Sequence, residues 1–239
     1  MKRIALLALW SVCLCGTIHA QLPMNVVLLG DSNTWLGGDE CNKPQGWNKW
    51  FKDMARPTSC HSYARSGATW THTSQTDYNT EENTGVLSDN NVIYNQINRL
   101  KEACESGCQP QPDVIIIMAG TNDLWFSKQR PDSLSKWIDY NCQLLHTAFP
   151  QTRLILITPP PFLKVGLDKQ HQAADEISSC AAMLKADVVR LDGSDMPFST
   201  ANIVQAGYSK DGVHTTVKGA RVLGKYIYEQ VLQILNKQK

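Results

Sequence analysis

Met24-Asn25-Val26-Val27-Leu28-Leu29-Gly30-Asp31-Ser32-Asn33-Thr34 is the stretch whose reading decides the fold. Met24–Leu29 is a nearly unbroken apolar run, which suits a strand buried on both faces of a parallel sheet. It stops at Gly30 and polar residues, so Ser32 is expected at the carboxyl end of that strand, the edge where open parallel sheets bind ligands. The same pattern recurs downstream. Asp113–Met118, with Val114-Ile115-Ile116-Ile117, predicts a central strand, and Arg153–Thr158 predicts another, halted by Pro159-Pro160-Pro161. Ser59–Ala64 and Asp187–Leu191 are shorter candidates.

Amphipathic stretches fill the gaps. Trp47, Trp50, Phe51 and Met54 recur at helical spacing, which assigns both tryptophans to the core, and Val92, Ile93, Ile97 and Leu100 do the same. Ser133 to Phe149 and Gln170 to Lys185 read as further helices. The last helix begins at Thr215 or Thr216, both good capping residues, and runs through Ala220, Leu223, Ile227, Val231 and Ile234. Alternating strands and helices predict an α/β fold, a parallel sheet covered by helices. Thr71 to Asn91, rich in Thr, Asn, Asp and Ser, is the exception. Loops of that length are often functional, so it is either a surface insertion or a segment that shapes the site.

Lys2 and Arg3, the apolar run Ile4 to Cys15 and Ile18-His19-Ala20 predict a signal peptide over residues 1–20, cleaved near Ala20. The run is too short to span a bilayer. Residues 21–239 are then one domain, exported to the periplasm or secreted, with no stable membrane anchor expected. Removing Lys2 and Arg3 takes the 23 basic residues below the 22 acidic ones, so nucleic acid is not an expected partner. Composition leaves the oligomeric state open. Cys104 and Cys108 are close enough to pair if the backbone bends between them; the other cysteines beyond the leader are Cys41, Cys60, Cys142 and Cys180. Cys-x-x-Cys spacing is absent, and neither a metal nor another cofactor is expected.

The chemistry sits at the block ends. Ser32 is a candidate nucleophile, and His214, in Asp211-Gly212-Val213-His214, a candidate base. Asp211 can reach His214 within one turn and fix its tautomer. A helix start beside His214 disfavours a cation by about 0.3–1 kcal/mol. A close carboxylate is worth about 1.4–4 kcal/mol in the other direction, so Asp211 wins. Asn122, in Gly120-Thr121-Asn122-Asp123, follows the central strand and can donate to an oxyanion, or else Asn122-Asp123 caps a helix. Gly67 can bring a bare N–H close to substrate, or merely permit positive φ. The nucleophile elbow Gly-x-Ser-x-Gly is missing, because Thr34 stands at the second glycine. The near-match to a phosphate-binding loop from Gly219 to Tyr226 lies inside a helical pattern and is discounted.

With these blocks in place, the chain resembles the SGNH (GDSL-type) hydrolase superfamily over essentially all of residues 21–239. Gly30-Asp31-Ser32 is similar to its first block, Gly67 to its second, Gly120-x-Asn122-Asp123 to its third and Asp211-x-x-His214 to its fifth. Asn33 stands where the family name expects Leu, and Arg65-Ser66 where many members carry Asn. The resemblance implies a three-layer α/β/α sandwich with a five-stranded parallel sheet. It implies Ser32 as nucleophile, His214 as base, Asp211 as its orienting carboxylate, and an oxyanion hole from the Ser32 and Gly67 N–H groups and the Asn122 side chain. It also implies a serine esterase that forms an acyl-enzyme.

Trp35, Trp70 and Trp125 each follow a block residue by three, so they either surround one pocket mouth or pack the core. At a pocket mouth they would bind a small-molecule or glycan ester, and export adds weight to a carbohydrate O-acetyl esterase. A lipase or thioesterase is the enzymatic alternative, and a non-catalytic glycan-binding protein on the same scaffold is the other. A flavodoxin-like electron carrier would share the sheet but leave the triad unexplained.

Overall fold

The computed structural model describes residues 22–71, 92–125 and 134–237. The predicted signal peptide lies outside them, as does all of the Thr71–Asn91 stretch except Thr71. The elements run β1 (Asn25–Gly30), α1 (Ser32–Trp35), α2 (Trp47–Ala55), β2 (Ser59–Ser62), α3 (Ile93–Glu105), β3 (Val114–Met118), α4 (Thr121–Trp125), α5 (Leu134–Ala148), β4 (Arg153–Ile157), α6 (Leu167–Met183), β5 (Asp187–Val189) and α7 (Val217–Asn236). The strands form one five-stranded sheet in the order β2-β1-β3-β4-β5, every pair parallel.

The near-continuous apolar runs divide between two cores because side chains alternate along a strand. Val26, Leu28, Ile116, Met118, Ile155 and Ile157 face a cluster completed by Trp47 and Phe51 of α2 and Leu223, Ile227 and Val231 of α7. Val27, Leu29, Ile115, Ile117, Leu154 and Leu156 face the other, made with Ile97 and Leu100 of α3, Ile138 and Leu145 of α5, and Ile177 of α6. Each such side chain, fully buried, contributes about 1.5–3 kcal/mol. This is the three-layer sandwich expected.

Several boundaries differ. β2 and β5 end at Ser62 and Val189, short of the predicted Ala64 and Leu191. α6 starts at Leu167 rather than Gln170, and Gln170 instead turns back to hydrogen-bond with Phe162 and Val165. Thr216, not Thr215, caps α7, its hydroxyl accepting the Gly219 N–H. Trp50 is not core: it is half-buried, with the Lys49 ammonium and the Arg221 guanidinium over its ring. Cys104 and Cys108 are not joined, because Cys104 Sγ turns to the Pro110 carbonyl while Cys108 is exposed.

β1 lies between β2 and β3, so chain connections leave it in opposite directions and open a crevice at its carboxyl end. Ser32 follows β1 and Asn122 follows β3. The topology therefore puts both at one rim.

Candidate active site

Asp31 starts the site. Its side chain accepts the Asn33 N–H at 3.0 Å and caps α1, which turns the chain sharply as it leaves β1. The turn needs Gly30: φ is +155°, and a Cβ there would stand 2.4 Å from the Met118 carbonyl oxygen. Gln96 of α3, fully buried, holds both sides of this peptide, accepting the Gly30 N–H and donating to the Gly30 carbonyl, each at 2.9 Å. Ser32 is the first residue of α1, and its N–H has no acceptor among the described residues. Trp47 donates to the Thr34 hydroxyl from the next helix and pins α1 from behind.

His214 approaches from the other end of the chain. Its Nε2 lies 3.0 Å from Ser32 Oγ, and its Nδ1 lies 2.7 Å from Asp211 Oδ2. With the ring proton on Nδ1, the imidazole donates to Asp211 and leaves Nε2 to accept the serine hydroxyl. Asp211 Oδ1 meanwhile accepts the N–H groups of Val213 and His214 at 2.9 and 2.8 Å. Partial burial pushes the Asp211 carboxyl up, but the His214 hydrogen bond and those two N–H groups outweigh it and hold it well below the usual carboxylate range. Ser209 locks the turn, its buried hydroxyl taking the Gly212 N–H at 2.9 Å and lying 2.7 Å from the His214 carbonyl oxygen.

Asn122 is buried and sits at the start of α4, where its Nδ2 donates to the Ala68 carbonyl at 2.9 Å. One N–H thus anchors the amide to the loop that carries Gly67, and the second remains for a ligand oxygen. Gly67 is buried with φ of +77°, a conformation that favours glycine. Asp123 braces the same loop, accepting the Trp70 and Thr71 N–H groups at 3.0 and 3.1 Å. Burial pushes Asp123 up to about 6 against the pull of those two bonds. Asp31 is also raised by burial to about 6, against the pull of the Asn33 N–H.

The three tryptophans part company. Trp35 is 45% exposed and lines a cleft of about 480 Å³ with Asp39, Asn42 and Gln45. Trp70 is fully buried in the core beneath α3 and α5 and cannot line a pocket mouth; the Asp123 bond to its N–H draws that loop inward. Trp125 is half-buried with the Lys164 ammonium 5.6 Å from its ring centroid. A second cleft of about 650 Å³, lined by Gln45, Lys210, Asp211, His214 and Lys218, adjoins the first at Gln45. His72 falls outside the described residues. Asn33, at the departure from the family pattern, is buried with its amide unpaired among the described residues. Among those residues, no group of three or more His, Cys, Asp and Glu could hold a metal ion, and no helix is long and apolar enough to cross a membrane.

Gln96 and Ser209 escaped the sequence reading, and so did the bracing role of Asp123. Gln96 looks like one more polar position on an amphipathic helix, and only its burial reveals it. Asp123 had a local signal, as the acid directly after Asn122.

Residues 28–222 match the GDSL-like lipase/acylhydrolase family. No curated protein sequence matches the chain. Among solved structures it is similar to Est24, a carbohydrate acetylesterase from Sinorhizobium meliloti, at 18% identity and a TM-score of 0.61, over 88% of this chain and 99% of that one. It is similar to the psychrotrophic esterase EstA from Pseudoalteromonas sp. at 14% identity and a TM-score of 0.59, over 89% and 99%. A peptidoglycan O-acetylesterase matches at 15% identity and a TM-score of 0.54, over 74% of this chain and 47% of that one. At these identities the likeness is one of fold.

Proposed function

Because the chain belongs to the GDSL-like lipase/acylhydrolase family, and so is a carboxylic ester hydrolase, we propose that Ser32, His214 and Asp211 are its catalytic triad. One observation carries this reading: a single imidazole lies 3.0 Å from the hydroxyl of a serine 182 residues away and 2.7 Å from a carboxylate on its own turn. Ser32 Oγ attacks the ester carbonyl while Nε2 takes its proton. The oxyanion is held by the N–H groups of Ser32 and Gly67 and the amide of Asn122. The imidazolium returns its proton to the departing alcohol, leaving an acyl-serine. Water deprotonated at Nε2 then attacks the acyl carbon, and Ser32 regains its proton as the acid leaves. All three steps use groups of the chain itself and require no cofactor.

The substrate we propose is an acetylated carbohydrate. The Trp35 cleft and the adjoining cleft lined by Asp211 and His214 carry hydrogen-bonding side chains, Asp39, Asn42, Gln45, Lys210 and Lys218, that suit hydroxyl groups. The exposed face of Trp35 suits a sugar ring. A carbohydrate acetylesterase and a peptidoglycan O-acetylesterase among the similar folds agree with this choice. Residues 1–20 we read as a signal peptide, which would deliver the enzyme to glycans outside the cytoplasm. Nucleic acid and a stable membrane anchor have no place in the proposal.

Ser32→Ala should lower kcat on short p-nitrophenyl esters by several orders of magnitude with the fold intact. Residual activity within tenfold of wild type would reject the triad. Faster turnover of long-chain esters than of acetylated oligosaccharides would favour a lipase. Glycan binding without fluorophosphonate labelling of Ser32 would favour a non-catalytic binding protein.

A further inference from the structure

Cys41 and Cys60 meet at the open edge of the sheet. Among the described residues β2 pairs with β1 on one side, and the turn residues 39–41 lie along the other. The Ser62 N–H donates to the Asp39 carbonyl at 2.7 Å, and His61 Nδ1 lies 3.2 Å from Glu40 Oε1. Residue 39 thus faces 62 and residue 40 faces 61. Cys41 and Cys60 are the next residues beyond these two contacts.

Burial brings both side chains to the same side of the sheet. Along β2 the side chains alternate, so Cys60 turns inward from the partly exposed His61, and the turn that carries Cys41, with φ of +51°, buries its side chain as well. Both are buried and belong to the same apolar cluster beneath α2 and α7. The Cys41 thiol nearby, together with burial, holds Cys60 well above the ordinary thiol range. Such a thiol is a poor nucleophile once packed, which places any oxidation at a stage when this edge is open.

We propose that Cys41 and Cys60 form a disulfide that ties the loop leaving α1 to the edge strand β2. The two thiols lose two protons and two electrons as the S–S bond forms. An external disulfide, of glutathione or of a dithiol oxidoreductase, accepts both electrons and both protons, its own S–S bond breaking to give two thiols. The link would hold the wall of the Trp35 cleft, which contains Asp39 and Glu40, and would cover a sheet edge otherwise open to strand pairing. It stands independently of the catalytic reading.

The test equilibrates the full-length chain with reduced and oxidised glutathione, in urea just below its unfolding transition, so that the edge opens and recloses. Remaining thiols are then blocked with N-ethylmaleimide under denaturing conditions, and the chain is digested without reduction for mass spectrometry. The expected result is a linked pair of peptides containing Cys41 and Cys60, lighter by two hydrogens than their reduced sum, with neither cysteine alkylated. Cys41→Ser and Cys60→Ser each lose the pair and leave the other cysteine alkylated, whereas Cys104→Ser keeps it. The wild-type map alone decides the matter if a serine variant fails to fold. Alkylation of both Cys41 and Cys60, or their linkage to glutathione or to other cysteines, overturns the proposal.

Discussion

Asp211→Asn separates the electrostatic role of this side chain from its structural one. The amide oxygen can take the place of Oδ1 and go on accepting the Val213 and His214 N–H groups, so the turn survives. The amide nitrogen then replaces Oδ2, 2.7 Å from His214 Nδ1. Two N–H groups cannot face each other, so the ring proton moves to Nε2 and points at Ser32, where an acceptor is needed. The charge-assisted hydrogen bond lost is worth about 1.5–3 kcal/mol. The attraction between carboxylate and forming imidazolium is about 4 kcal/mol at a separation of ~4 Å near a protein surface. The His214 and Asp211 side chains are 40% and 53% exposed, so screening by solvent cuts this to about 2 kcal/mol. The sum, about 3–5 kcal/mol, predicts a fall in kcat of roughly 10²–10⁴-fold. KM should change less than kcat, because the amide keeps the shape of the Asp211 side chain and its backbone hydrogen bonds. Initial rates on p-nitrophenyl acetate, with circular dichroism to verify the fold, measure both quantities. A folded variant with kcat within about tenfold of wild type would refute the assignment of tautomer control to Asp211.

Ser209→Ala removes the hydroxyl that receives the Gly212 N–H; leaving that donor unpaired should cost about 1–3 kcal/mol of stability, read by urea unfolding, with a smaller loss of kcat than at Asp211. Gly30→Ala sets a methyl against the Met118 carbonyl and should destabilise the chain by at least about 2 kcal/mol; a melting temperature equal to wild type would show that the β1–α1 turn tolerates a side chain. Asp31 and Asp123, each raised by burial from 3.8 to about 6, bind protons more tightly folded than unfolded. Their contribution to stability is therefore complete below about pH 4 and lost as pH rises through 6, by about 3 kcal/mol each. Asp123→Asn should flatten that decline by about half in unfolding titrations from pH 4 to 7, and an unchanged slope would show that Asp123 is not its source. Asp211, held low instead, adds stability that is lost only as pH falls below the ordinary carboxylate range.

How much the amino-acid order settles depends on how far apart the interacting residues lie. Ser32 at the end of β1 was legible because an apolar run and the polar turn that stops it are adjacent in sequence. The Asp211–His214 pair was legible for the same reason, being one turn long. Burial of the strands on both faces was legible too, since an unbroken apolar run with period-2 side chains must meet a core on each side without any knowledge of partners. Trp70 could not be placed, because its spacing from Gly67 is the same whether the loop turns outward or, as the Asp123 bond makes it do, inward. Trp50 was misread because helical spacing marks a stripe, and not how much of the stripe the neighbouring helix covers. Gln96, Ser209 and the meeting of Cys41 with Cys60 are products of packing, where the partner lies on another element and carries no local signature. By itself, then, the sequence determined the class of fold and singled out the candidate reacting groups. Tertiary structure alone decided which polar side chains hold those groups in place, because burial and hydrogen-bond partnership exist only once distant segments are packed together.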